Sequence, residues 1–537
     1  MPGEELLADS LAITLFFGII SLFCLYWYSI KDFDYWKKRG IPYVKPVLPF
    51  IGTSYSLLWK PAHQIDVERY RKLGPVYGQF DGARPVLVIA DLKLVREVLV
   101  KEFPSFINRR VSSFKNGDSI VDAMLFVLHG DEWKRVRNIL TPAFTTGKIK
   151  RMIDIIKECG QTATENFRTT AKSGKPFQAK LIYGAFAMDV IASAAFSVKL
   201  DSHNDTKNQF VQTAKEAFST DFGFKLFIFL LFPKLAKLFK VSIISPKPLV
   251  FFREVILQIM EKRKKTGQTR NDFLQLLMAT LKEDTEELKV DKGIEENSIT
   301  SNYGHDESTY QTPKFGSNKN LSLNAAVAQS ISFFTAGFDT VASTLSFATY
   351  LLAVNPEIQE RMYEEVHQVL EKTEGELTYE AIQEMKYLDN VLSETLRLYP
   401  VIPRLERMTE TDCKLGDTGI TVPKGMAIVI PSYALHKDPK LFPDPEKFDP
   451  DRFLPEERAK RDPYAYLPFG DGPRHCIGMR FALIEVKTCL VYVIANFKIL
   501  RCPETKVPLE FCLGPGLLIP KDIILKFEER TDKISLK

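Results

Sequence analysis

Cysteine is scarce and irregularly placed in this chain. Cys24, Cys159, Cys413, Cys476, Cys489, Cys502 and Cys512 are odd in number, scattered and free of Cys-x-x-Cys pairs. That excludes a disulfide framework and a cysteine-built zinc site, and a reducing compartment is the simplest setting. A dominant charge is also missing. The 72 basic and 67 acidic residues leave a net charge of +5, too near neutral to argue for nucleic acid. No internal repeat is visible, so solenoid and propeller architectures drop out. The 537 residues suffice for one large domain or several small ones.

A long, uncharged apolar run is present at 11–30. Twenty residues suit a bilayer-spanning helix, and Tyr26, Trp27 and Tyr28 close it where an interfacial aromatic belt belongs. A cleaved signal peptide would need a basic leader and a shorter apolar stretch. The leader here is acidic, with Glu4, Glu5 and Asp9. Lys37, Lys38 and Arg39 follow the run, so the positive-inside rule puts the rest of the chain in the cytosol. Residues 1–30 are therefore expected to form a membrane anchor. Residues 31–55, with Pro42, Pro46 and Pro49, are expected to form a stiff hinge, and 56–537 the main body.

Helical periodicity dominates from about residue 56. Short strand-like pieces occur at 86–89, 420–422 and 427–430. Few strands between long helical patterns predict a mainly α fold with small sheets. The stretch 221–240 interleaves phenylalanines with lysines. It reads as a second membrane contact or as a core helix whose lysines snorkel. The stretch 283–320 is polar and reads as an exposed linker.

Cys476 stands alone in Phe469-Gly470-Asp471-Gly472-Pro473-Arg474-His475-Cys476-Ile477-Gly478. Gly470, Gly472 and Gly478 permit backbone conformations that side chains block. Loop amides and the following helix N-terminus favour a thiolate. Upstream, a helical pattern at 321–354 is stopped by Asn355-Pro356 and carries Ala336-Gly337-Phe338-Asp339-Thr340 at its middle. Gly337 would thin that helix so that a flat cofactor fits against it. Asp339 and Thr340 together form an acid–hydroxyl pair able to relay protons. Taken alone, a surface acid beside a backbone-bonded threonine is the simpler explanation of the pair. Glu394 and Arg397 share one helix face.

These motifs resemble those of the cytochrome P450 superfamily. The cysteine segment matches its loop Phe-x-x-Gly-x-Arg-x-Cys-x-Gly, and 336–340 its distal oxygen-activation helix. Longer stretches, among them Ile430-Pro431-Ser432-Tyr433-Ala434-Leu435-His436, look like the microsomal 3A branch that oxidises steroids and drugs. The loop before Trp133 and the 283–320 linker look longer than usual there.

The resemblance implies a mainly α cytochrome P450 fold holding haem b (iron protoporphyrin IX), with Cys476 as the iron ligand and Phe469 opening its loop. It implies Trp133, Arg137, Arg407, Arg474 and Arg109 as partners of the haem propionates, and Asp339 and Thr340 as the catalytic pair. Glu394 and Arg397, completed by Arg452, would form a buried structural network; Asp451 stands where glutamate is usual. Phe126, Phe334, Ala336, Val401, Ile402 and Leu517 would line an apolar substrate pocket.

The function so implied is a membrane-bound monooxygenase of the endoplasmic reticulum, single-pass, with its body in the cytosol. It would insert one oxygen atom from dioxygen into lipophilic, membrane-partitioned substrates. Electrons would come from NADPH through cytochrome P450 reductase, with cytochrome b5 a further candidate donor. Lys134, Arg135, Lys148, Lys150 and Lys487 are candidate docking cations. The alternatives are a haem-thiolate isomerase of peroxides and a non-catalytic haem carrier.

Overall fold

The computed structural model describes residues 2–111, 118–196, 198–217, 232, 236, 238–239, 246–281, 303, 320–514, 516–534 and 536–537, with backbone only at 2–11, 215 and 217. The helices of seven residues or more are α1 (Pro2–Ile30), α2 (Ala62–Leu73), α3 (Gly130–Leu140), α4 (Thr146–Ser173), α5 (Ala179–Phe196), α6 (Gln209–Ala217), α7 (Pro246–Thr266), α8 (Phe273–Ala279), α9 (Leu323–Val354), α10 (Pro356–Lys372), α11 (Lys386–Leu398) and α12 (Met479–Asn496). The strands are β1 (Val76–Asp81), β2 (Arg84–Ile89), β3 (Phe177–Gln178), β4 (Leu405–Met408), β5 (Cys413–Lys414), β6 (Thr421–Val422), β7 (Ala427–Ile430), β8 (Phe497–Leu500) and β9 (Ile524–Glu529). They form a four-stranded sheet in the order β1-β2-β7-β4, a three-stranded sheet β3-β9-β8 and the pair β5-β6. The fold is the mainly α fold with small sheets that the helical periodicity predicts.

Among the described residues, three helices are long and apolar enough to cross a membrane. Two of them, α5 and α9, are mostly buried and pack along each other in the core. In α1 the stretch Ala12–Ile30 is only 6% buried, so its apolar side chains have no protein to cover them. The proline-rich stretch after it is docked rather than free. Trp36 is 1% exposed and its indole N–H donates to the Gln79 carbonyl at 3.1 Å. The amides of Val44 and Gly78 bond Gly78 and Pro42 in turn, at 3.0 and 2.8 Å.

Helix α9 is capped by Ser322, whose Oγ accepts the Ala325 amide at 3.1 Å. It ends at Val354, where Pro356 cannot continue it and instead starts α10. At Gly337 a Cβ would lie 3.0 Å from Ile191 Cδ1, so the missing side chain lets α5 approach α9 closely.

The phenylalanine-rich stretch 221–240 lies almost wholly outside the described residues; within it Leu238 and Phe239 are exposed. The polar stretch 283–320 likewise lies outside them except at Tyr303 and Asn320. Tyr303 departs from the expectation of an exposed linker, being 1% exposed.

Candidate active site

The cysteine loop is shaped by two glycines in the left-handed region. Gly470 has φ +74° and Gly472 φ +73°. A Cβ on Gly472 would overlap the Leu99 carbonyl oxygen, so no other residue fits there. Gly478 sits at φ −89°, which any residue adopts, and caps α12; the freedom expected of it is not used. The loop closes on itself. The Cys476 amide donates to the Phe469 carbonyl at 3.0 Å, and the His475 amide to the Gly472 carbonyl at 2.9 Å. The Cys476 side chain is partly exposed, two residues before Gly478, the N-cap of α12.

Four arginines from four parts of the chain converge on this loop. Arg109 donates to the Arg474 carbonyl at 2.8 Å and is close enough to Cys476 to feel its charge. Arg137, on α3, reaches the His475 carbonyl at 3.2 Å. Arg474 donates to the carbonyls of Ile107 and Leu128 at 2.8 and 2.7 Å, and its guanidinium lies 4.2 Å from the Trp133 ring centroid. Arg407, on β4, donates to the Glu406 carbonyl at 2.9 Å. Burial, then the charges of Arg109, Arg407 and Arg137, pull Arg474 down to about 7. Burial and Arg109 pull Arg407 down to about 9.

Nη1 of Arg474 and Nε of Arg407 are buried without a hydrogen-bond partner. Burying like charges with unsatisfied donors is costly. A dianionic group bound among them removes that cost, because guanidinium forks match paired carboxylates. The two propionates of haem b have that chemistry. With Cys476 as a soft anionic ligand beside them, the residues present fit the cofactor.

The expected distal segment is set apart by its exposure. In α9, Ala326–Phe334 and Val341–Ala353 are buried, while 335–340 are partly or fully accessible. One turn earlier, Phe333 packs on Phe144 and Phe273 (centroids 5.2 and 5.5 Å), and Phe273 meets Phe481 of α12 at 5.4 Å. This aromatic chain ties the open window to the helix that follows the cysteine. Within the window, Thr340 Oγ1 donates to the Ala336 carbonyl at 2.7 Å. Asp339 is ion-paired with Lys180 of α5 at 2.8 Å, both partly exposed. Lys180 carries no motif and was not among the sequence-derived candidates.

The pocket candidates separate into two sets. The Leu518 amide donates to the Val401 carbonyl at 2.9 Å, bringing Leu517 beside Val401 and Ile402. Ile402 is 46% exposed and Val401 buried. Ala336 faces open space, and Phe126 is half-buried. Phe334 is fully buried, its ring against Phe196, Phe210 and Phe252 at 5.2, 5.4 and 4.9 Å. It therefore offers no surface to a ligand.

Behind the loop, Glu394 and Arg397 of α11 are both 0% exposed and paired at 2.6 Å. Arg397 also donates to the carbonyls of His436 and Pro445 at 2.8 Å. Arg452 reaches Glu394 at 3.3 Å. Asp451 turns outward and pairs with Arg361 at 2.8 Å, so the substitution of aspartate leaves the internal network intact.

Sequence reasoning missed His436. Its Nε2 accepts the Leu467 amide at 3.0 Å, two residues before Phe469. Burial, then Arg397, hold its pKa down at about 3, so it stays neutral and keeps that acceptor.

Of the expected docking cations, Lys134 pairs with Asp131 at 3.1 Å, Arg135 with Glu132 at 2.7 Å and Lys150 with Glu380 at 2.6 Å. Lys148 is half-buried on α4. Lys487 is 2% exposed and bonded to Asp389 at 2.5 Å; facing inward, it is no docking cation.

Comparison with known proteins gives the family. The cytochrome P450 family pattern matches residues 42–527. The chain is 40% identical to cytochrome P450 3A11 of Mus musculus over 521 residues, 95% of each protein. It is 38% identical to cytochrome P450 3A7 of Homo sapiens over 526 residues, 96% of each. It is 39% identical to cytochrome P450 3A1 of Rattus norvegicus, again over 526 residues and 96% of each. The chain therefore belongs to the cytochrome P450 family, as a haem-thiolate monooxygenase similar to its 3A members.

Proposed function

We propose that this monooxygenase is anchored by 11–30 in the endoplasmic reticulum membrane with its body in the cytosol, and that it oxidises lipophilic substrates with electrons from NADPH through a flavoprotein reductase. One oxygen atom of dioxygen enters the substrate and the other leaves as water, which consumes two electrons and two protons. Haem b supplies the dioxygen and electron-transfer chemistry when bound. The single observation carrying the assignment is the convergence of four arginines, three of them buried and two of those with unsatisfied nitrogens, around the Cys476 loop.

Cys476 would hold the iron, and Arg109, Arg137, Arg407, Arg474 and Trp133 the propionate edge. Asp339 would feed the two protons in, and Thr340 Oγ1 would hold the water or acid that carries them. Thr340 spends its proton on the Ala336 carbonyl, which leaves its oxygen free to accept from a water or an acid. The partly exposed Lys180, 2.8 Å from Asp339, connects that acid to solvent. The apolar set Ala336, Val401, Ile402 and Leu517, with half-buried Phe126, supports a lipophilic substrate.

Thr340→Ala tests the proton-delivery role. With reductase, NADPH and a turned-over substrate, product per NADPH should fall by roughly tenfold or more, with peroxide released instead. Unchanged coupling would remove Thr340 from the mechanism.

A further inference from the structure

Tyr303 belongs to a polar stretch, yet it is 1% exposed. Its ring stands edge-on to Phe469, with centroids 5.5 Å apart and planes at 74°, and lies 6.4 Å from the Tyr466 ring. Its hydroxyl donates to Asp389, 3.1 Å from Oδ1 and 3.3 Å from the main-chain oxygen. Burial, with Asp389 beside it, raises its pKa well above the usual phenol value, so it remains a donor. Asp389 in turn holds Lys487 of α12 at 2.5 Å. One side chain thus joins α11, α12 and the first residue of the cysteine loop.

The Leu321 amide donates to the Thr280 carbonyl at 3.3 Å, closing the backbone at these two positions onto itself. Beside that closure, Arg135 of α3 holds the Asn320 carbonyl at 2.9 Å. Phe469 matters because its carbonyl accepts the Cys476 amide. Whatever fixes Phe469 also fixes the backbone that presents the sulfur.

We infer that Tyr303 is a positioning residue for the thiolate ligand, bracing Phe469 and the Asp389–Lys487 pair. This rests on the haem-thiolate reading. An edge-to-face ring pair and a buried charge-assisted hydrogen bond are each strong enough to matter here.

The test uses the full-length holoenzyme with Tyr303→Phe and Tyr303→Leu. The readouts are the lifetime of the red-shifted band of the reduced, carbon-monoxide-bound form below the unfolding temperature, and the haem midpoint potential. Tyr303→Phe keeps the ring contact and should keep most of the lifetime. Tyr303→Leu should shorten it about tenfold and shift the potential at unchanged haem content.

A leucine variant with wild-type lifetime and potential overturns the inference. So does one that loses haem and thermal stability together while its remaining holoenzyme keeps both readouts, because that is core packing alone. If the wild type itself lacks the red-shifted band, the haem-thiolate reading fails first and takes this inference with it.

Discussion

Single residues around the cysteine loop are arranged against their own electrostatic interest, and that tension is informative. Arg474 is held down to about 7 by burial and three other guanidiniums, a cost that only a bound anion repays. His436 shows the opposite strategy, staying neutral to serve as an acceptor for the Leu467 amide. Its folded pKa of about 3 lies below the ordinary histidine value near 6.5. The unfolded chain therefore binds a proton that the folded chain refuses, so this contribution to stability is complete above about pH 6.5 and is lost as pH falls toward 3. Denaturant midpoints measured between pH 7 and 4 should fall in the wild type and fall less in His436→Gln; parallel curves would contradict the assignment. The cysteine loop was legible in the sequence because its glycines and arginine sit at fixed spacings. His436 and Lys180 were not, since each acts across the fold on a partner that no local spacing announces. Lys487 was misread for the same reason, its partner Asp389 being remote in sequence.

Among the elements, α9 holds the proposed Asp339–Thr340 pair and α11 the buried Glu394–Arg397 pair. The ends of α9 were readable from Ser322 and Asn355-Pro356, because capping and proline act locally. The partner of Gly337 was not readable, since a glycine marks a close approach without saying to what. The Glu394–Arg397 pair looked like any helix ion pair, and only burial at 0% on both sides distinguishes it. Glu394→Ala should destabilise the fold by about 3–5 kcal/mol, because it strands Arg397 and Arg452. Replacing Glu394 and Arg397 together by methionine should cost less. Chemical denaturation of the two variants decides, and equal losses would mean that the pair acts by packing rather than by charge compensation.

Taken as a whole, the molecule has two different apolar solutions. Helices α5 and α9 satisfy theirs in the core, whereas Ala12–Ile30 leaves its surface uncovered. Hydropathy alone does not separate these cases; only the position of the run and its flanking charges did so in the sequence. Docking of Trp36 onto the Gln79 carbonyl starts the body close behind Ala12–Ile30. Deletion of 2–30 should release the enzyme from membrane pellets at high salt while leaving its haem spectrum unchanged; retention in the pellet would show that another surface holds it there. The most direct test of the central claim is the difference spectrum of the reduced, carbon-monoxide-bound protein, wild type beside Cys476→Ser. A thiolate ligand predicts a red-shifted Soret band in the wild type that the variant loses. A wild type that binds haem without that band, or a variant that keeps it, would contradict Cys476 as the ligand and the oxygen chemistry built on it.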